Sequence, residues 1–130
     1  MRRTLKIQWM GLLGVLVTLM ITAGPARAHH GTAAYDLDKV VTKKATITDF
    51  LWMNPHCEIT FDTKDDKGHV EHWALETHPP TMMVDRGWTR KSLSAGEMVT
   101  ITFHPAKNGA KTGILMKVVL PDGKELKHDD

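Results

Sequence analysis

Residues 57–75 read Cys-Glu-Ile-Thr-Phe-Asp-Thr-Lys-Asp-Asp-Lys-Gly-His-Val-Glu-His-Trp-Ala-Leu. Cys57, Ile59 and Phe61 fall on one face of an extended chain and Glu58, Thr60 and Asp62 on the other, because strand side chains alternate with a period of two. Asp65-Asp66-Lys67-Gly68 is a turn whose glycine supplies a positive φ at no steric cost, and Val70 to Leu75 returns as the partner strand. A hairpin with one wet face follows. On its N-terminal side, a run rich in Val, Thr and Ile from Lys39 alternates through Ala45 and Ile47. It loses clean alternation between Phe50 and Met53 and stops at Asn54-Pro55, which predicts a long, bent first strand. On the C-terminal side, Thr77-His78-Pro79-Pro80 ends pairing, since proline lacks the donor a ladder needs. Thr81 to Arg86 reads as a short helix closed by Gly87, and Trp88 to Leu93 as a further helical turn capped by Thr89. Val99, Ile101 and Phe103 alternate with Thr100, Thr102 and His104 in a fourth strand, and Ile114 to Leu120 forms a fifth. Pro121-Asp122-Gly123-Lys124 is a turn, and the polar tail from Glu125 is expected to fray. The order strand-strand-strand-helix-strand-strand predicts a mainly β fold: a small five-stranded antiparallel barrel of the OB type with one short helical insertion. An open β-sandwich fragment is the competing architecture.

The chain has 130 residues, 42% hydrophobic and 25% charged, an ordinary globular composition that argues against disorder, collagen or a coiled coil. Arg2, Arg3 and Lys6 precede a nearly unbroken apolar run from Ile7 to Thr22, and Ala26-Arg27-Ala28 presents small residues where a signal peptidase reads them. Residues 1–28 are therefore expected to be a cleavable signal peptide, 29–38 an N-terminal arm and 39–130 the barrel domain. The apolar run is short for a membrane span, which needs about 20 residues. No second run exists, so the expected product is periplasmic and free of the membrane. Removing 28 of the 130 residues leaves 102, enough for one small domain. The 17 basic and 15 acidic residues give a formal +2, but the signal holds Arg2, Arg3, Lys6 and Arg27, which leaves 13 against 15 and a charge of −2. An acidic balance speaks against a nucleic-acid partner. The lone Cys57 rules out an internal disulfide, and its place in an alternating segment predicts a buried small hydrophobe.

All eight histidines, His29, His30, His56, His69, His72, His78, His104 and His128, follow the signal. Neutral imidazole is a common ligand for copper, zinc and nickel and coordinates at pH 7 without first losing a proton. Cleavage after Ala28 would leave His29 first, with a free α-amino group beside its own imidazole. Those two nitrogens can chelate one ion against modest proton competition, since the α-amino pKa is about 7.7–8.0. A planar nitrogen set suits copper(II). His30 would add a second imidazole, and His56, held behind Asn54-Pro55 at a strand start, is the expected donor from the fold. The candidate metal ligands are thus His29, His30 and His56, for copper(II) or another divalent transition metal. Gly31 stands third, so the terminal square-planar motif that requires histidine there is absent. The simpler reading leaves His29 and His30 as polar residues of a mobile arm and His56 as a turn-stabilising side chain. His69 and His72, three apart on a strand, leave opposite faces and cannot share an ion. His78 and His104 adjoin proline near strand ends and read as exposed loop residues, while His128 belongs to the tail.

Trp52, Trp73 and Trp88 either fill a small barrel or form a surface platform for a sugar, a nucleobase or an aromatic ligand. Enzyme templates are missing. Ser92 and Ser94 are the only serines and neither sits in a Gly-x-Ser-x-Gly turn; no His-Glu-x-x-His, phosphate loop or dinucleotide fingerprint occurs. Asp49, Glu58, Glu71 and Glu76 read as solvated residues on the wet faces of strands. Catalysis is not expected.

Ala28-His29-His30, Phe50-x-Trp52-x-Asn54-Pro55-His56, His72-Trp73-Ala74-Leu75-Glu76, Arg86-Gly87-Trp88-Thr89-Arg90-x-Ser92-Leu93 and Leu120-Pro121-Asp122-Gly123 occur together. In that combination the chain resembles a family of small exported proteins of Gram-negative bacteria, catalogued as a domain of unknown function. The resemblance spans essentially the whole chain after the signal and implies a periplasmic, single-domain β-rich protein that begins with a His-His pair. It implies no activity and no cofactor. Family members commonly carry serine where this chain has Gly31, and a Gly-Ser-Pro-Asn-like segment where it has Thr77-His78-Pro79-Pro80. The expected function is that of a periplasmic binding protein for a divalent metal, with Asn54 or Glu76 orienting the imidazoles. The competing expectation is a metal-free interaction module that binds a periplasmic protein or a small amphipathic ligand on a Trp-bearing face.

Overall fold

The computed structural model describes residues 31–129; the expected signal peptide, His29 and His30 lie outside the described residues. A 3-10 turn at Thr32–Ala34 leads into β1 (Val41–Leu51), β2 (Glu58–Lys64), β3 (Val70–Glu76), a short helix α1 (Pro80–Asp85), β4 (Met98–Pro105), β5 (Thr112–Val119) and β6 (Glu125–Lys127). The hairpin forms as its alternation predicts: Ile59 pairs with Leu75 and Phe61 with Trp73, and Ile59, Phe61 and Leu75 are wholly buried.

Hydrogen-bonded neighbours run β3-β2-β1-β4-β5-β6, and a further pairing of β3 with β5 closes the first five strands into a barrel. That last pairing is parallel, joining Ala74 to Thr112, Leu75 to Gly113 and Glu76 to Ile114. The barrel is therefore mixed rather than antiparallel. Direction cannot alternate around a ring with an odd number of members, so closure of five strands demands at least one parallel seam. With α1 between β3 and β4, the order is that of the OB type.

The seam explains one glycine. A Cβ on Gly113 would stand 2.5 Å from the His104 carbonyl oxygen, 2.8 Å from Phe103 and 3.0 Å from Leu75, so only a residue without a side chain lets β5 lie against β3 and β4. In β1 the register slips between Ile47 and Asp49, earlier than the irregular stretch predicted at Phe50–Met53. The bulge leaves Thr48 and Asp49 both outside and turns Phe50 back toward the core.

Around Phe61, Phe103 and Leu75 pack Ile47, Ile101, Leu115 and Val118, all at or near zero exposure. Cys57 joins them as predicted, fully buried, and burial pushes its thiol pKa up. Proline occupies the first position of α1, where its missing N–H costs no hydrogen bond, and Met83 plugs the barrel end beneath the helix. Beyond Gly87 the chain makes a single capped turn, with the Thr89 N–H donating to Ser92 Oγ at 2.8 Å and the Ser92 N–H to the Thr89 carbonyl at 2.9 Å. Trp88 enters the core at 1% exposure.

Both ends of the described segment are tied down. Tyr35 bridges to Ala106, flanked by bonds from the Asp36 N–H to the Pro105 carbonyl at 2.9 Å and from the Lys107 N–H to the Ala34 carbonyl at 3.0 Å. The tail does not fray: β6 pairs with β5 through Val118 and Leu126, and Leu126 is 3% exposed.

Candidate functional site

One groove of about 600 Å³ runs along the face where the arm crosses the barrel, with Gly31 and Tyr35 on one side and His56, His78, His104 and His128 among its walls. Each histidine comes from a different element. His78 follows β3 and is strapped in place by the Cys57 N–H, which donates to its carbonyl at 3.0 Å, and by Thr77, whose N–H and hydroxyl donate to the Cys57 carbonyl at 3.0 and 3.1 Å. His104 sits in β4 opposite Ile114. His128 follows β6; its N–H donates to the Met116 carbonyl at 2.8 Å, and the buried Trp88 indole N–H donates to the neighbouring Lys127 carbonyl at 2.7 Å.

Two arrangements in this groove suit cation chemistry. His104 Nδ1 lies 2.9 Å from the Lys39 carbonyl oxygen. A carbonyl only accepts, so Nδ1 carries the proton and Nε2 keeps its lone pair. A ring held this way by its second nitrogen has the support that metal-bound histidines ordinarily show. The second arrangement is a cluster of His78, His128 and Asp129, whose potential ligand atoms all lie within 4.8 Å of one another. His78 Nε2–H donates to one Asp129 oxygen at 2.9 Å and His128 Nδ1–H to the other at 3.1 Å. The two rings stack at 3.8 Å between centroids, 9° from parallel.

The electrostatics set His128 and Asp129 apart. Burial, reinforced by His78, lowers the His128 pKa, so the imidazole stays uncharged at neutral pH. The His78 hydrogen bond, foremost, lowers the Asp129 pKa and keeps it ionised. Arg86 approaches with Nη2 at 4.0 Å from Asp129, donates through Nη1 to the Met82 carbonyl at 3.1 Å, and has a buried Nε with no partner among the described residues. Across the groove, burial and then the Glu76 carboxylate raise the Tyr35 pKa, so its hydroxyl stays protonated and seats the arm against the end of β3.

Of the expected ligands, His56 lies on the groove as an exposed residue, and His29 and His30 precede Gly31 outside the described residues. His78, His104 and His128 join His56 although their local sequence reads as loop and tail. Asp129 was not singled out at all. One signal for the tail was present: after the Asp122-Gly123 turn, Leu126 and His128 alternate with Glu125 and Lys127, and both prove buried. His69 and His72 are absent from the groove and rest on the local carboxylates Asp65 and Asp62.

The tryptophans serve packing. Trp73, 8% exposed, stacks on Phe61 and leans on Phe103, while Glu71 accepts its indole N–H at 3.3 Å. Lys43 and Lys111 approach its ring. Half-buried Trp52 packs edge-on against Phe50.

A family model described as a family of unknown function, DUF6152, matches residues 16–116. The match takes in the arm and β1 to most of β5 but ends before His128 and Asp129. No curated protein and no solved structure matches the chain.

Proposed function

The chain belongs to the DUF6152 family of unknown function, and on that premise we propose that it is a small periplasmic binding protein, exported by a signal at residues 1–28, that takes copper(II) or another divalent transition metal through His29 as the first residue after cleavage. The terminal amine and imidazole of His29 chelate the ion, His30 adds a donor, and the barrel contributes His104 and His56. The observation that carries this reading is the place of Gly31 on the wall of the histidine-lined groove. Successive Cα atoms are about 3.8 Å apart, so His30 is one step and His29 two steps from that wall. His104, with its lone pair left on Nε2 by the Lys39 carbonyl, supplies a rigid donor from the barrel.

Calorimetry and electron paramagnetic resonance with copper(II) test this. The chain beginning at His29 is expected to bind at least tenfold tighter than the same chain with one alanine added before His29. His104→Ala is expected to weaken binding further and to remove one nitrogen from the copper hyperfine pattern. Equal affinity and an unchanged spectrum in all three would refute the proposal, as would an exported chain whose mass places its start elsewhere.

A further inference from the structure

We propose that His78, His128 and Asp129 form a second metal site, a clasp that takes a zinc-class divalent cation and locks β6 and the tail to the loop before α1. The site does not rest on the terminal chelate, because none of its donors comes from the arm. Two imidazole nitrogens and one carboxylate oxygen make a borderline donor set without thiolate, suited to zinc(II), nickel(II) or copper(II). Each carboxylate oxygen already stands 2.9 or 3.1 Å from a ring nitrogen. Ligand bonds of about 2.0–2.1 Å place tetrahedral ligands about 3.3 Å apart, and the three donor atoms already lie within 4.8 Å of one another.

The stacked rings describe the metal-free form. An imidazole lone pair lies in the ring plane, and one ion cannot lie in two planes that are nearly parallel and 3.8 Å apart. One ring has to turn. His128, with a side chain 7% exposed, is held by the core, whereas His78 is 24% and Asp129 70% exposed. His78 therefore swings and His128 stays. A ring that ligates through the nitrogen now facing Asp129 has to carry its proton on the other nitrogen. The ion and the carboxylate together leave one positive charge, and the fourth position is open to water. Arg86, 4.0 Å from Asp129, competes for the same carboxylate.

A metal bridging His78 to His128 ties together segments 50 residues apart in the chain. The indole N–H of Trp88 reports this directly, since it donates to the Lys127 carbonyl one residue before His128. Zinc(II) titration of the chain from His29, followed by calorimetry and by the Trp88 indole and histidine ring resonances, provides the test. Zinc is expected to shift the His78, His128 and Trp88 signals. His78→Ala, at a half-buried position, and Asp129→Asn, at an exposed one, are expected to lose at least tenfold in affinity, and Arg86→Gln to gain severalfold. A chain with His29→Ala and His30→Ala keeps the clasp. The inference is overturned if clasp variants bind as the parent does, or if zinc binds without moving the His128 and Trp88 resonances. Loss of all zinc binding in the arm variant alone would remove the clasp and leave the terminal chelate standing; loss in the clasp variants alone would do the reverse. Zinc-free circular dichroism and the Trp88 signal verify that each variant keeps its fold, and Arg86→Gln tests the site without touching a ligand.

Discussion

Replacing Gly113 by alanine should destabilise the whole barrel although it adds a single methyl group. The new Cβ would meet the His104 carbonyl oxygen at 2.5 Å, a backbone atom that no rotamer change can move, together with Phe103 at 2.8 Å and Leu75 at 3.0 Å. Ordinary contact begins near 3.4 Å, so β5 must retreat by close to an ångström from β4 or β3. The parallel seam it would disturb joins only three residue pairs. Overpacking a well-filled core costs about 1–3 kcal/mol, and lowering the chain entropy of the unfolded state returns less than about 1 kcal/mol. A net loss of roughly 0.5–2.5 kcal/mol lowers the melting temperature by about 2–20 °C in a domain of this size. Gly31 is the control, with open space around it and φ of −105°; Gly31→Ser should leave stability within about 0.5 kcal/mol of the parent, as surface changes do. Urea and thermal unfolding of the three chains measure both. A Gly113→Ala protein within about 0.5 kcal/mol of the parent would mean that the seam yields freely and that closure does not depend on the missing side chain.

Glu71 gives an acid-lability prediction: the Lys111 hydrogen bond, foremost, then Trp73 and Lys43 lower its pKa from the ordinary value near 4.5. A lowered folded-state pKa adds stability that is complete above the unfolded value and is lost as pH falls through the folded one. Glu71→Gln should therefore flatten the fall in urea midpoint below about pH 4.5, and an unchanged slope would show that the pairings contribute nothing. Cys57, buried with a raised thiol pKa, should react with thiol reagents only as fast as the protein opens, so its labelling rate should rise with urea; fast labelling of native protein would contradict the burial. Free copper(II) at one hundred times its dissociation constant stabilises by about 2.7 kcal/mol, roughly 10–20 °C in melting temperature at this size, and chelation with EDTA should reverse the shift. A melting temperature indifferent to both would leave the groove without a metal.

Much of the barrel is legible residue by residue. Alternation in Cys57–Asp62 and Val99–His104 places one face inward, and Pro79-Pro80 fixes where pairing ends and α1 begins. The bulge at Thr48 is not legible, because both Thr48 and Asp49 are polar and the alternation through Ala45 and Ile47 gives no sign of slipping before Phe50. The tail misleads for a related reason: a three-residue strand offers one inward side chain, Leu126, and a pattern needs repetition to be seen. Spacing separates His69, just before β3, from His72 within it, and the two rest on different carboxylates. It is silent about His78 and His128, since each lies in an aperiodic stretch and their meeting depends on where β3, β5 and β6 run.

Local chemistry along the chain was enough to determine the first five strands, the helix, the lone buried thiol and a five-membered ring order. Those features follow from side-chain period, proline and glycine, which act within a few residues. Tertiary structure alone decided the parallel seam, the burial of Trp73 and Trp88, and the gathering of His56, His78, His104 and His128 with Asp129 along one groove. Closing a ring sets the distance between residues far apart in sequence, and no local pattern carries that distance.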